Sequence, residues 1–421
     1  MQDAVNAALL RKVSGRLIPF MMLLYFVAFL DRVNIGFAAL TMNADLGFSA
    51  TVFGAGAGIF FLGYVLFEVP SNLALEKFGA RRWVARIMFT WGLISCAMAF
   101  VQGPTSFYVL RFLLGMAEAG FFPGMILYLT YWFPAPTRAR IVSLFFIAVP
   151  LSNVIGAPLS TLFLELDAFG LKGWQWLFLL EGMPAILLAF VVLRFLTDRP
   201  SSAAWLTTEE KRQMETLLKA DQATPRTHSL RAAFTDLRLW IFGGVYFGIT
   251  VGIYGLGFWL PLIIQSTGTF TTREIGLLVA APYVVVSTVM YLWSRHSDKS
   301  GERVWHVVLP AWTAAAAFMA SAALLDTPML AYFAVILAAS GVFATVPPFW
   351  SLPTALLGST AAAGGIALVN SVGNLGSYFG PMIVGYFRDA SQSYAFGLIA
   401  MGGFIFMTGV LALLGAPKRS G

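Results

Sequence analysis

The sequence is poor in charge. Asp, Glu, Lys and Arg make up 11% of its 421 residues, whereas hydrophobic residues make up 58%. Ordinary globular chains carry roughly 25% charged residues, and so few charges cannot cover the surface of a water-soluble protein of this length. The mean hydropathy of +0.78 agrees with this reading. The composition therefore excludes an ordinary soluble protein and predicts a polytopic membrane protein.

Several features that other functions need are scarce or missing. Cys96 is the only cysteine, which excludes an intrachain disulfide. No Gly-x4-Gly-Lys-Ser/Thr loop occurs, which argues against transport driven by a nucleotide bound on this chain. His228, His296 and His306 are the only histidines and are not clustered as metal ligands would be. No nucleophilic triad is suggested at bilayer depth, so we expect no enzymatic activity, no metal and no cofactor.

Apolar segments long enough to cross a bilayer recur along the chain. The predicted spans are 16–40, 51–75, 83–102, 105–131, 138–164, 173–196, 239–265, 274–295, 304–325, 328–352, 361–387 and 393–415. This pattern predicts an all-α membrane protein of twelve transmembrane helices in two six-helix bundles. The bundles cover residues 1–196 and 239–421, and residues 197–238 form a cytoplasmic linker. Within the linker, Thr207 or Thr208 is placed to cap a surface helix.

The basic residues predict the orientation of the spans. With the N-terminus inside, 22 of the 27 lysines and arginines fall on the inner side and three on the outer side. Arg32 and Arg111 lie within spans. Such an asymmetry is typical of a protein with cytoplasmic termini, and it explains the net charge of +7 without a nucleic-acid partner.

Two inner loops repeat one pattern, acid–base–x–Gly–x–Arg, at an offset of 222 residues. The first loop lies between spans 2 and 3, and the second between spans 8 and 9. The matched positions are Glu76, Lys77, Gly79 and Arg81, and Asp298, Lys299, Gly301 and Arg303. A carboxylate and two basic groups at a tight glycine turn can hold neighbouring helix ends in one state and release them in another. We interpret both loops as conformational locks.

Six-plus-six spans with this loop in both halves resemble the major facilitator superfamily of transporters. The stretches LDRVNIGFA, FEVPSNLALEKFGARRW, RFLLGMAEAGFFPG, WQWLFLLEGMPA and GIALVNSVGNLGSYFGP resemble, more narrowly, the anion:cation symporter family. The resemblance covers essentially the whole chain. One departure is that Asn72 and Ser294 stand where the superfamily loop usually begins with glycine. The resemblance implies the twelve-helix fold and uptake of organic anions.

Six ionisable residues fall inside predicted spans, all in the N-terminal half. They are Asp31, Arg32, Glu68, Arg111, Glu118 and Glu181. A buried arginine keeps its proton and needs an anion nearby, whereas a buried carboxylate can become neutral. An anionic substrate that occupies the arginines would therefore leave the carboxylates to take up protons. The alternative is that Asp31–Arg111 or Arg32–Glu118 are static ion pairs that fix helix packing.

The resemblance implies roles for these charges that agree with this reasoning. Asp31 and Glu118 would act in proton coupling, and Arg32 and Arg111 would bind the substrate anion. For Glu68 we expect a role in supporting the first loop or a helix end, and for Glu181 a structural or gating role.

Neutral residues complete the expected site. Tyr64 follows a glycine-rich face of span 2 and could donate its hydroxyl to a carboxylate. Prolines in VPPFWSLPTA are expected to break span 10, and broken helices at depth point to transporter binding sites. Trp350 in that break could stack on a substrate. Asn370 and Asn374 share a polar stripe with Ser377 on span 11, so they could contact substrate or merely bridge helices.

The sequence thus predicts a proton-coupled symporter of a small organic carboxylate, driven by the proton gradient and working by alternating access. Its expected location is a bacterial inner membrane, and its expected state is monomeric. A carboxylate exchanger and a transporter-like sensor of carboxylates remain alternatives. Hydroxy acids, sugar acids and aromatic acids all remain open as substrates.

Overall fold

The computed structural model describes residues 2–134, 137–138, 141, 145, 148–222, 235–356 and 362–416. This part of the chain is almost entirely helical. Its helices are α1 Gln2–Leu46, α2 Ala50–Phe78, α3 Ala80–Ala97, α4 Pro104–Glu118, α5 Phe121–Thr130, α6 Ala148–Phe163, α7 Gly173–Phe195, α8 Thr208–Gln222, α9 Leu237–Thr267, α10 Thr272–Ser300, α11 Val304–Ala323, α12 Pro328–Leu356, α13 Ala362–Ser391 and α14 Ala395–Gly415.

Ten helical segments of this part are long and apolar enough to cross a membrane, with α4 and α5 counted as one. The other two predicted spans correspond to α6 and α13. Helix α6 has 16 described residues, and α13 has 30 residues but carries the polar stripe of span 11. The first residues of spans 5 and 11 lie partly outside the described residues. So do five basic residues of the predicted inner side, Arg140, Arg226, Arg231, Lys418 and Arg419.

The structure corrects two predictions about helix breaks. Span 10 is not broken by its prolines, because α12 runs through Pro347, Pro348 and Pro353 as far as Leu356. Membrane helices tolerate proline where neighbouring groups or local adjustments satisfy the freed carbonyls. Span 4, in contrast, is interrupted, since α4 ends at Glu118 and Gly120 has a φ of +83° before α5 begins. Glycine adopts this left-handed conformation without strain.

The first span differs from its predicted bounds, whereas the linker helix begins at one of the two predicted caps. Helix α1 extends well beyond 16–40 at both ends. Helix α8 is capped by Thr207, whose Oγ1 accepts the N–H of Glu210 at 3.2 Å while the Glu210 carboxylate accepts the N–H of Thr207 at 2.8 Å. Lys12 of α1 donates to Glu210 at 2.7 Å, and this bond holds the pKa of Glu210 below its usual value. The linker helix is thus tied to the first helix.

Glycines allow the two halves to approach closely at one end of the bundles. This end is the outer one in the orientation predicted from the basic residues. A Cβ at Gly58 of α2 would lie 2.4 Å from the carbonyl oxygen of Tyr378 in α13, and one at Gly54 would lie 2.4 Å from that of Pro381. A Cβ at Gly36 of α1 would lie 2.8 Å from the carbonyl oxygen of Phe258 in α9. The Gly54–x–x–x–Gly58 pattern therefore allows backbones of opposite halves to approach closely.

Polar groups join the same outer ends. The Asp389 carboxylate at the end of α13 accepts the N–H groups of Ala50 and Thr51 at 3.0 and 2.7 Å, at the start of α2. Arg273 of α10 pairs with Glu165, which follows α6, at 2.5 Å. A carboxylate at a helix N-terminus satisfies free N–H groups and the helix dipole. The described cross-half contacts thus close the predicted outer side.

Candidate substrate and proton site

Arg32 of α1 and Glu118 at the end of α4 form a buried ion pair. Arg32 Nη2 lies 3.1 Å from Glu118 Oε2, and Nε donates to the same oxygen at 3.3 Å. The residues are 8% and 2% exposed. Glu118 Oε1 has no hydrogen-bond partner among the described residues. The Arg32–Glu118 ion pair, one of the two pairs that the sequence suggested, is therefore present. One oxygen of its carboxylate has no described partner.

Arg111 lies fully buried in α4 and forms no salt bridge with a described carboxylate. Its Nε and Nη2 donate to the carbonyl oxygens of Gly56 and Ala57 in α2, each at 3.2 Å. Nη1 has no partner within the described part of the chain. The alternative Asp31–Arg111 pair is therefore absent from the described salt bridges. A guanidinium held by carbonyls keeps its full charge and presents a free donor to an anion.

Asp31 is surrounded by neutral donors. Trp91 Nε1 donates to Oδ2 at 2.7 Å, while Ser95 Oγ and Asn34 Nδ2 donate to Oδ1 at 2.5 and 3.2 Å. Trp91 and Ser95 belong to α3, which sequence reasoning left without a role. Ser95 could have been singled out from the sequence only as a polar residue inside a predicted span. Asp31 and Arg32, adjacent in sequence, thus face different partners.

Aromatic rings cover the two arginines. The Arg32 guanidinium carbon lies 5.4 Å from the Phe60 ring centroid and 5.2 Å from that of Tyr64. The Arg111 carbon lies 5.0 Å from the same Phe60 ring. Cations over ring faces are attracted by the ring quadrupole. Tyr64 is therefore placed beside Arg32, as its predicted role requires, and Phe60 is a central residue that the sequence did not single out.

Glu68 and Asn370 link the two halves at the level of this site. Asn370 Nδ2 of α13 donates to Glu68 Oε1 of α2 at 3.2 Å. Glu68 was expected to support the first loop or a helix end; the structure adds a partner on α13, and the expected role stays a prediction. This bond uses the side-chain nitrogen of Asn370. Since the two residues are 302 positions apart, no local pattern could reveal the contact.

In the C-terminal half, the neutral residues that the sequence singled out lie on α9, α12 and α13. The Trp350 ring meets that of Tyr246 at 4.9 Å and 64°, and that of Phe349 at 5.3 Å. Tyr254 of α9 packs on Phe61 of α2 across the halves at 4.5 Å. Trp350 and Asn374 are both partly buried. The aromatic cluster thus gives this half an apolar and ring-bearing wall.

Glu181 is the remaining buried carboxylate. Ser160 Oγ of α6 donates to its Oε1 at 2.6 Å, and the residue is 1% exposed. The bond joins α6 to α7, which agrees with the structural role expected for it.

The two repeated loops differ in their contacts. In the second, Gly301 has a φ of +68°, and Arg303 Nη1 donates to Asp298 Oδ1 at 2.7 Å and to Ser297 at 2.9 Å. This loop closes on itself. Lys299 lies in the last turn of α10 beside the turn.

The first loop instead contacts the segment after α7. Gly79 has a φ of +88°, and the backbone N–H of Arg81 donates to Asp198 Oδ1 at 2.8 Å. Lys77 lies over the Phe78 ring, and Glu76 forms no salt bridge among the described residues. The glycine turns are as predicted, whereas the lock function of either loop stays a prediction.

Two bundles of membrane helices that close at one end around buried arginines and carboxylates define a membrane transporter. The chain belongs to the Major Facilitator Superfamily, whose sequence model matches residues 21–381. It is therefore a multi-pass membrane transporter and not an enzyme.

Relatives and a solved structure agree with this assignment. A putative tartrate transporter of Agrobacterium vitis is 52% identical over 97% of this chain and 92% of its own length. The putative metabolite transport protein NicT of Pseudomonas putida is 42% identical over 98% and 95%. The crystal structure of a D-xylose–proton symporter superposes with a TM-score of 0.77 at 16% identity, covering 96% of this chain and 98% of that one. The structural likeness confirms the predicted fold.

Proposed function

We propose that this transporter carries a small organic carboxylate into a bacterial cell together with protons. The observation that supports this most directly is the Arg32–Glu118 pair beside Arg111. Glu118 pairs with Arg32 through one carboxylate oxygen. Nη1 of Arg111 has no hydrogen-bond partner among the described residues. A substrate carboxylate can bind Arg111 through that donor and replace Glu118 on Arg32.

This replacement couples the substrate to a proton. A carboxylate left at bilayer depth without its cation is costly, so Glu118 takes up a proton when the substrate displaces it. Asp31 differs from Glu118, because its described partners are neutral donors. Protonation of Asp31 therefore breaks no ion pair, and we assign it as a second proton carrier.

The substrate class is supported by the site and by the relatives. Two guanidinium groups fit a carboxylate, and the neutral amide of Asn370 with the rings near Trp350 fits a polar or planar remainder. A relative named as a tartrate transporter makes a hydroxy acid the first candidate to test. Rocking of the two halves would expose the site on alternate sides, and the contacts between α2 and α13 at the predicted outer end support a state closed on that side.

Uptake into proteoliposomes tests the coupling. With tartrate and a panel of other carboxylates, we expect the wild-type protein to accumulate its substrate when an inward proton gradient is imposed. Glu118→Gln should keep substrate exchange but lose gradient-driven accumulation, because its amide cannot carry the proton. Glu215→Gln on the exposed face of α8 is the control. Wild-type accumulation that ignores the gradient would contradict symport, and exchange without accumulation would indicate an exchanger.

A further inference from the structure

A cavity that contains four arginines in its lining lies at the predicted cytoplasmic end of the N-terminal half. It has a volume of about 680 Å³. Its walls come from the inner part of α1, the α2–α3 turn, the end of α7 and the segment that precedes α8. Four of its lining residues are basic, namely Arg16, Arg81, Arg82 and Arg194. Asp198 is the one acidic residue of the lining.

The carboxylate does not neutralise these arginines. Asp198 Oδ1 accepts the backbone N–H of Arg81 at 2.8 Å, so it caps the start of α3. Within the described part of the chain, no acidic side chain lies within salt-bridge distance of the four guanidinium groups. Among the described residues, the cavity therefore sets four guanidinium groups against one carboxylate and has an excess of positive charge.

One of the arginines is held in place by rings. The guanidinium carbon of Arg16 lies 4.7 Å from the Phe195 ring centroid and 5.0 Å from that of Trp205. Stacking uses the faces of the guanidinium and leaves its N–H edge for hydrogen bonds. A planar fork held in this way suits two oxygens of a phosphate group.

Beyond the cavity, towards the membrane, α3 and α7 present an apolar seam. Phe89 of α3 and Phe190 of α7 are 38% and 59% exposed, and their rings meet edge-on at 5.9 Å. Phe78, which lines the cavity, is 52% exposed. A soluble anion would use only the arginines, whereas a lipid would use the arginines and the seam together.

We propose that this cavity binds the phosphate group of an anionic phospholipid of the inner leaflet, whose acyl chains lie along the α3–α7 seam. Basic pockets at the cytoplasmic ends of membrane helices suit anionic headgroups. Because the turn that contains Gly79 and Arg81 forms one wall, a bound headgroup would hold that turn against the segment after α7. The inference is independent of the transported substrate.

Binding to the purified full-length protein in neutral detergent tests the proposal. The probes are phosphatidylglycerol, the zwitterionic phosphatidylcholine, and soluble glycerol 3-phosphate, with bound lipid measured by native mass spectrometry. We expect phosphatidylglycerol to bind more tightly than phosphatidylcholine. Arg82→Gln combined with Arg194→Gln should weaken phosphatidylglycerol about tenfold or more, since each basic residue near an anionic surface contributes about 1 kcal/mol.

Arg212→Gln combined with Arg295→Gln is the matched control, because both residues are exposed on the predicted inner side and outside the cavity. Equal phosphatidylglycerol affinity in the two double variants would overturn the proposal. Full competition by glycerol 3-phosphate would show a phosphate site filled from solution and overturn the lipid assignment. If the double variant Arg82→Gln with Arg194→Gln fails to fold, Arg194→Gln alone is used instead. It should weaken phosphatidylglycerol binding by about half as much on a logarithmic scale. Unchanged affinity would again contradict the proposal.

Discussion

The two halves share a fold but divide the polar groups unequally. In the described part of the membrane region, the buried acids and arginines all belong to the N-terminal half, namely Asp31, Arg32, Arg111, Glu118 and Glu181. The C-terminal half offers amides, hydroxyls and rings. Buried charges are costly at bilayer depth, so their confinement to one half indicates a division of labour. We interpret the N-terminal half as the one that handles charge and the C-terminal half as the one that shapes the space around it.

Removal of a charge from the N-terminal half should have the largest effect. Arg32→Gln deletes the partner of Glu118 and one of the two guanidinium groups proposed to bind the substrate. Truncation of one member of a buried charged pair costs about 2–5 kcal/mol, so we expect substrate affinity to fall at least about thirtyfold. Binding is measured by isothermal titration calorimetry with the substrate found in the uptake screen.

Arg212→Gln is the control for that measurement, because Arg212 forms an exposed ion pair with Glu209 on α8. If Arg32→Gln and Arg212→Gln bind the substrate equally well, Arg32 is not a substrate ligand and the proposed division between the halves fails.

A neutral residue of the C-terminal half should matter less. Asn370→Ala removes one neutral amide, and such hydrogen bonds contribute about 0.5–1.5 kcal/mol. We therefore expect substrate affinity to fall about three- to tenfold, with the number of protons taken up per substrate unchanged. Calorimetry in two buffers of different ionisation enthalpy reports both quantities.

The control is Gln213→Ala, which removes a neutral amide of the linker helix α8, where Gln213 Nε2 donates to Glu209 outside the candidate site. A change in proton number with Asn370→Ala would show that the Glu68–Asn370 bond takes part in coupling. That result would contradict the assignment of proton chemistry to the N-terminal half alone.

The contact between the halves gives the most local test, because it changes the distance between two helices and no group of the candidate site. Gly58→Ala places a methyl group 2.4 Å from the Tyr378 carbonyl oxygen, so α2 and α13 must separate at their outer ends. Overpacking costs about 1–3 kcal/mol, which should shift the protein towards an outward-open state. Spin labels at Ala44→Cys and Gln392→Cys, in a Cys96→Ser background, report the outer distance by pulsed electron resonance.

Gly403→Ala serves as the control, because a Cβ there meets nothing within 4 Å. We expect Gly58→Ala to enrich the longer distance and Gly403→Ala to leave the distribution unchanged. Identical distributions in the two variants would show that the α2–α13 approach does not hold the outer side closed.

Patterns that repeat along the chain predicted most of the fold. Hydropathy located the spans, and the linker helix was found from its cap at Thr207 and the two glutamates after it. Helix breaks were predicted less well. The prolines of α12 suggested a break that does not occur. Gly120 interrupts span 4, and hydropathy could not reveal this, because the sequence of an apolar run does not show whether a glycine in it adopts the left-handed conformation.

The candidate site shows where the sequence by itself stops. The sequence alone determined which charged residues fall inside spans, where burial is too costly without a role. It therefore singled out Asp31, Arg32, Arg111 and Glu118. It could not determine their partners. Trp91 is 60 positions from Asp31, and Asn370 is 302 positions from Glu68. Only the tertiary structure decides such pairs, because the packing and rotation of each helix set which face meets which neighbour.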